Sequence, residues 1–228
     1  MPMRLDSVVP FGRSLDEYIK MFNLTHTDLA QRILGVADGP ASFNAEATKL
    51  GYTVTSIDPI YQFSGTEILA RFNAVVDHII NQVRASPDDW EWTYHRSPDD
   101  LRQNRIQAIQ TFIDDYEHGK AAQRYQVGEL PHLQFPDQSF DLALCSHFLF
   151  LYSEQLDSSF HLNAIHEILR VSREVRIFPL LTLMLQRSPH LDPIMQALLD
   201  QGYRPSIQTV PYSFQKGGNE MLVITRPD

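Results

Sequence analysis

Cysteine is nearly absent: Cys145 is the single one among 228 residues. That excludes an intramolecular disulfide and any zinc site built on several thiolates. It fits a reducing compartment. Positive charge is also scarce. Nineteen Lys and Arg face 28 Asp and Glu, a formal net charge of −9. General nucleic-acid binding, which needs a basic footprint, is therefore not expected. No hydrophobic run reaches membrane-spanning length. The most apolar stretches, 142–152 and 177–185, are short and broken by Ser, His, Pro or Thr. The first residues, with Arg4, Asp6 and Arg13 around a short apolar patch, lack the pattern of a secretory signal. A cytoplasmic protein without a membrane partner is the expectation.

What is present is ordinary globular material, 43% hydrophobic and 21% charged, enough for a sizeable core. The length suits one domain over 1–228 with additions. Ser14 followed by Glu17 reads as a capping box that opens a helix, with Leu15, Tyr18, Ile19 and Phe22 on one face. It belongs to a helical extension over 1–30. A buried strand at 32–37, a turn at 38–42, a helix at 43–50, Gly51 and a strand at 52–57 make a right-handed βαβ unit.

Further strands are expected at 124–127, 140–146, 174–181, 206–211 and 220–225, with helices at 153–171 and 193–201. Gly217-Gly218-Asn219 suits a turn between antiparallel partners. The result is an α/β fold: a Rossmann-like, mostly parallel sheet with helices on both faces and an antiparallel C-terminal edge. Residues 60–120 are too long for one crossover. They carry two helical patterns, 66–83 and 98–116, around Trp90 and Trp92, and read as a helical insertion serving as a lid or substrate-side cap.

In such a sheet ligands bind beyond the carboxyl ends of the strands. Small residues at Gly35, Ala37, Gly39 and Ala41 let a ligand approach the backbone. An acid after the second strand, Asp58, suits a ribose diol.

These residues resemble those of the class I S-adenosylmethionine-dependent methyltransferases, from about Ile33 to the end apart from the insertion. The family's motif is hydrophobic-Asp-x-Gly-x-Gly-x-Gly. Here it reads Leu34-Gly35-Val36-Ala37-Asp38-Gly39-Pro40-Ala41. Gly39 matches the central glycine, Ala37 and Ala41 replace its neighbours, and Gly35 stands where an acid is usual. Ser56-Ile57-Asp58, followed by Pro59, is similar to the ribose-binding segment. Gly128-Glu129-Leu130 is similar to the adenine-side segment, and Ser146 to the end of strand four.

The resemblance implies S-adenosylmethionine as cofactor, held by Ala37, Asp38, Gly39, Pro40, Asp58, Pro59, Glu129, Leu130 and Ser146. It implies methyl transfer to a small-molecule acceptor. His147, at a strand end, is the candidate acceptor-side base. Methyl transfer needs chiefly placement and desolvation of the acceptor, so no universal base is required.

Other readings stand beside these. The altered glycine motif suits a methyltransferase-like binding or regulatory protein without turnover. A nicotinamide-dependent oxidoreductase would need the Gly-x-Gly-x-x-Gly that is missing here. Asp38 is either a helix cap or a cofactor contact, and Asp58 a turn cap or the ribose acid. Cys145 reads as an inert buried thiol. His161, His166 and Glu167 lack metal-site spacing, and no metal is expected. Trp90, Trp92 and Tyr94 fasten the insertion rather than line a pocket. Arg102, Arg105 and Lys120 read as surface pairs.

Overall fold

The computed structural model describes residues 9–227. Arg4, Asp6 and the start of the expected N-terminal extension lie outside the described residues. Helix α1 (Leu15–Met21) begins at the Ser14–Glu17 capping box, and a short α2 (His26–Leu29) follows. The βαβ unit is β1 (Arg32–Val36), α3 (Phe43–Lys49) and β2 (Thr53–Ile57). Residues 60–120 fold mainly as two long helices, α4 (Gly65–Ala85) and α5 (Pro98–Ala121). Ser64 with Glu67 boxes the first, and Ser97 with Pro98 starts the second.

The remaining elements are β3 (Tyr125–Gln126), β4 (Phe140–Ser146), α6 (Ser158–Val171), β5 (Ser172–Phe178), α7 (Leu191–Asp200), β6 (Arg204–Thr209) and β7 (Glu220–Thr225). Helix α6 starts five residues later than the sequence pattern suggests. Asp157 caps it, and a 3-10 turn, Phe150–Tyr152, occupies the preceding apolar stretch.

Among the described residues seven strands form one sheet in the order β3-β2-β1-β4-β5-β7-β6. The β1, β2, β3, β4 and β5 pairings are parallel, and β7 is antiparallel to both its neighbours. This is the expected Rossmann-like sheet with an antiparallel pair closing one side. The last strand lies inside that pair, between β5 and β6, so β6 forms the outer edge.

Side-chain alternation splits the core between two faces. Leu34, Val36, Ala143, Val175 and Ile224 pack under α6 and α7, joined by Ile165, Ile168, Ile194 and Leu198. Ile33, Val54, Leu142, Leu144 and Val223 face α1 and α3, against Tyr18, Phe22 and Phe43. A third cluster joins α4 to α5 through Phe72, Ile80, Ile109, Phe112 and Tyr116, and includes Trp90. Among the described residues no helix is long and apolar enough to cross a membrane.

Candidate functional site

The carboxyl ends of β1, β2 and β4 open into a cavity of about 500 Å³. Ala37, Asp38, Gly39, Asp58, Pro59, Glu129, Leu130, Ser146 and His147 all line it. Of the residues singled out from sequence, Pro40 does not. It is buried beneath the N-terminal segment, where a Cβ on Gly12 would lie 2.1 Å from the Pro40 carbonyl oxygen. Ser42 N–H donates to the Arg13 carbonyl at 3.0 Å. The chain before α1 is thereby laid across the β1–α3 loop, and Phe11 and Arg13 become part of the cavity wall.

Ala37 and Gly39 both adopt left-handed backbone, φ 53° and 54°. Ala37 thus keeps a conformation natural to glycine, at a cost of about 1–2 kcal/mol. The Ala41 methyl packs into the core with Tyr18 and Phe43 and does not line the cavity.

Asp38 is neither a helix cap nor a surface acid. It is buried, and its Oδ1 and Oδ2 accept from Tyr18 Oη and Ser56 Oγ, each at 2.6 Å. This explains Gly35. A Cβ there would meet Asp38 Oδ2 at 1.9 Å, so the carboxylate folds back over the strand and fills the space a side chain would need. Gly35→Ala is expected to cost about 1–3 kcal/mol by overpacking, read as a lower chemical-denaturation midpoint with an unchanged m-value.

Asp58 caps the 3-10 turn Pro59–Gln62: Oδ1 accepts from Ile60 N–H at 2.8 Å. Its Oδ2 accepts from Gly39 N–H at 2.9 Å, which ties the β2 end to the β1 loop. Burial pushes both Asp38 and Asp58 up to about 6, against the hydrogen bonds each accepts. Glu129 is exposed at the cavity rim.

His147 stands just beyond β4 in left-handed backbone, φ 51°, held by its N–H to the Phe178 carbonyl at 2.6 Å. Its Nδ1 lies 2.9 Å from Ser146 Oγ. Ser146 Oγ in turn contacts the Tyr18 hydroxyl, which donates to Asp38. Burial, then Arg13 and Arg105, hold the imidazole well below the usual histidine range, so it is neutral at pH 7.

Cys145 is fully buried within β4, and burial pushes its thiol up to about 12, as suits an inert residue. His161 is also buried, with ring nitrogens at hydrogen-bond distance from the Asp157 and Leu149 carbonyls.

Three sequence readings need correction: Lys120, read as a surface pair, is half-buried and donates to the Tyr61 carbonyl at 3.2 Å. Arg105 is not a surface residue but is 1% exposed and pairs with Glu17 through two 2.6 Å contacts. Trp90 does fasten the 60–120 segment, stacking on Phe214 at 4.6 Å, but it also lines a second cavity. Arg102, by contrast, does form a surface pair, with Asp77. Sequence reasoning missed Phe11, Arg13 and Gln215 as cavity residues. The only hint was Arg13 beside a capping box, which carries no signal of burial.

No family model matches the chain. It is 36% identical over 225 residues to the uncharacterized protein MJ0045 of Methanocaldococcus jannaschii, covering 98% of this chain and 99% of that one. Among solved structures it is similar to magnesium protoporphyrin IX methyltransferase (ChlM) from Synechocystis PCC 6803 with bound SAM. That match has a TM-score of 0.47 and 12% identity over 93% of this chain and 78% of that one. It is also similar to a SAM dependent methyltransferase from Aquifex aeolicus, with a TM-score of 0.41 and 13% identity over 92% and 87%.

Proposed function

This chain belongs to the family of the uncharacterized protein MJ0045, and we propose that it transfers a methyl group from S-adenosylmethionine to a small-molecule acceptor. The observation that carries this reading is the cavity at the carboxyl ends of β1, β2 and β4, with Gly39 and Asp58 on its wall.

The residues present fit that cofactor. The cavity volume, about 500 Å³, exceeds what a molecule of about 27 non-hydrogen atoms requires if each atom takes about as much as a water. An ionised carboxylate has about four acceptor sites. Asp58 uses two on backbone N–H groups, which leaves two for a ribose diol. Glu129 and Leu130 line the cavity and are assigned to the adenine ring, and buried Asp38 sets negative charge beside Gly39.

S-adenosylmethionine supplies an already activated methyl group when bound. The chain's own residues supply position and a proton acceptor. Phe11, Phe63, Phe148 and Phe160 form apolar cavity wall and exclude water. His147 accepts the proton that an O–H or N–H acceptor releases, at Nε2 in the tautomer whose Nδ1–H donates to Ser146 Oγ.

Thermal unfolding with S-adenosylhomocysteine, S-adenosylmethionine and NAD tests the reading. At about 100-fold above Kd the two sulfur nucleosides should each add about 2.7 kcal/mol, a shift of about 5–10 °C. A shift with NAD alone, or with none of the three, would sink it. Asp58→Ala should stay folded and weaken S-adenosylhomocysteine binding by about 1.5–3 kcal/mol, or about 10- to 150-fold.

The pH dependence has a definite sign. A ribose diol donates to the ionised form of Asp58, so affinity is full above the raised value of about 6 and falls as pH drops through it. Titration calorimetry at pH 5 and pH 7.5 should show a loss of about tenfold. Asp58→Asn should flatten that dependence.

A further inference from the structure

Behind the large cavity lies a second, smaller one of about 80 Å³. The two share Val9, Phe11, Arg13 and His147, so His147 stands at their junction. The inner chamber is walled by Ile79 and Val83 of α4, Leu101 of α5, Leu151, and the stacked pair Trp90 and Phe214. By the measure in which one water needs about 10–15 Å³, it holds about five to eight. That is the bulk of one six-membered ring with a small substituent, so a carboxylate on such a ring extends into the opening that Arg13 and His147 line in common with the larger cavity.

The polar atoms on this wall are unusual. Arg105 and Gln215 line it, at 1% and 8% exposure. Among the described residues, Arg105 Nε and Gln215 Oε1 are buried without a hydrogen-bond partner, as is Arg13 Nε. Gln215 spends its Nε2 on the Thr182 carbonyl at 3.1 Å, and this fixes which end of the amide is left over. A buried polar atom without a partner costs about 1–3 kcal/mol, and a ligand that satisfies it recovers that cost.

The charges are also unbalanced. Arg105 pairs with Glu17, whereas Arg13 makes no ion pair among the described residues and donates to the Phe11 carbonyl. Two guanidinium groups face one carboxylate. His147 lies in that positive field, where Arg13 and Arg105 act against its protonation.

We propose that the chamber is the acceptor site, and that the acceptor is a single-ring aromatic anion that also carries an N–H or O–H donor. The anion answers the surplus guanidinium charge, the donor answers Gln215 Oε1, and the ring fills the space beside Trp90 and Phe214. The assignment to the acceptor rests on the methyltransferase reading. The binding chemistry rests on the chamber alone. Arg13 borders both cavities, so the test is placed on Gln215, which borders only the inner one.

Calorimetry on the full chain, with and without saturating S-adenosylhomocysteine, would use 4-hydroxybenzoate, benzoate and benzylamine as probes. The expected order is 4-hydroxybenzoate first, benzoate about tenfold weaker for want of a donor, and no binding of benzylamine. Gln215→Leu should erase the tenfold advantage of 4-hydroxybenzoate while benzoate and S-adenosylhomocysteine bind as before. Val83→Phe, which fills the chamber, is the second variant and should abolish binding of both anions but spare S-adenosylhomocysteine.

Three results would overturn the proposal: no binding of 4-hydroxybenzoate to protein that binds S-adenosylhomocysteine, binding of benzylamine equal to the anions, or 4-hydroxybenzoate binding undiminished in both variants. If 4-hydroxybenzoate binds in a Gln215-dependent way and S-adenosylhomocysteine does not bind, the chamber chemistry stands and the methyltransferase reading falls.

Discussion

Arg105→Ala is expected to destabilise the protein by about 3–5 kcal/mol, a drop in Tm of about 6–20 °C for a chain of this size. The guanidinium holds Glu17 by two 2.6 Å contacts, and both groups are 1% exposed. Burial alone would raise the Glu17 carboxyl, but Arg105, with His95 and Arg13, more than offsets this, and the carboxyl is held well below the usual carboxylate range. Without Arg105 a carboxylate is left charged in the interior, near His95 and Tyr212, which also contact it.

The same pair ties α1 to α5, and Arg105 also donates to the Gly12 carbonyl. Its loss should therefore loosen the N-terminal segment that covers the cavity. A cycle separates the two costs. Glu17→Gln with Arg105→Met removes both charges and should be more stable than Arg105→Met alone, because no unpaired charge remains. Simple addition of the two single losses in urea melts would count against a coupled buried pair.

His147→Gln should lower kcat by about 10²- to 10⁴-fold, the usual contribution of a positioned base, while S-adenosylhomocysteine affinity changes less than about twofold. Glutamine preserves a polar contact with Ser146 but offers no basic nitrogen. The wild-type profile should show no break from this residue between pH 6 and pH 8. Its imidazole is held well below the usual histidine range and is already neutral there, so the limb it contributes falls on the acid side. Radiolabelled methyl transfer in single turnover, with the first acceptor that supports turnover, checks both points. A variant with unchanged kcat would leave His147 as a residue that only shapes the cavity.

Much of the frame is legible in the residues alone. The period-two and 3.6-residue patterns place β1, β2, β4, β7, α4 and α5 close to their observed positions, because each buries one face and the apolar residues recur accordingly. The Ser14–Glu17 box marks α1 correctly, since the cap and its partner lie within four residues. Gly39 and Asp58 are legible as cavity residues because both sit at strand ends, where the α/β topology gathers ligand-binding loops.

Other features are not legible, for definite reasons. Asp38 in place of an acid at Gly35 depends on a side chain folding back across three residues onto Tyr18 and Ser56. Arg105 resembles a surface residue, because α5 is mixed in polarity and its partner Glu17 lies 88 residues away. Gln215 joins the chamber only because the chain between β6 and β7 forms a bridge with Trp90.

The sequence by itself determined the class of sheet, the helices around it and the strand ends that make the cavity, since local periodicity and short-range turn chemistry encode these. Only the tertiary structure decided that the N-terminal segment closes over that cavity, that a charged pair is buried beneath it, and that an inner chamber with unpartnered polar atoms adjoins His147. Those features depend on contacts between residues far apart in the chain, and no local pattern of polarity distinguishes a guanidinium paired in the interior from one left in water.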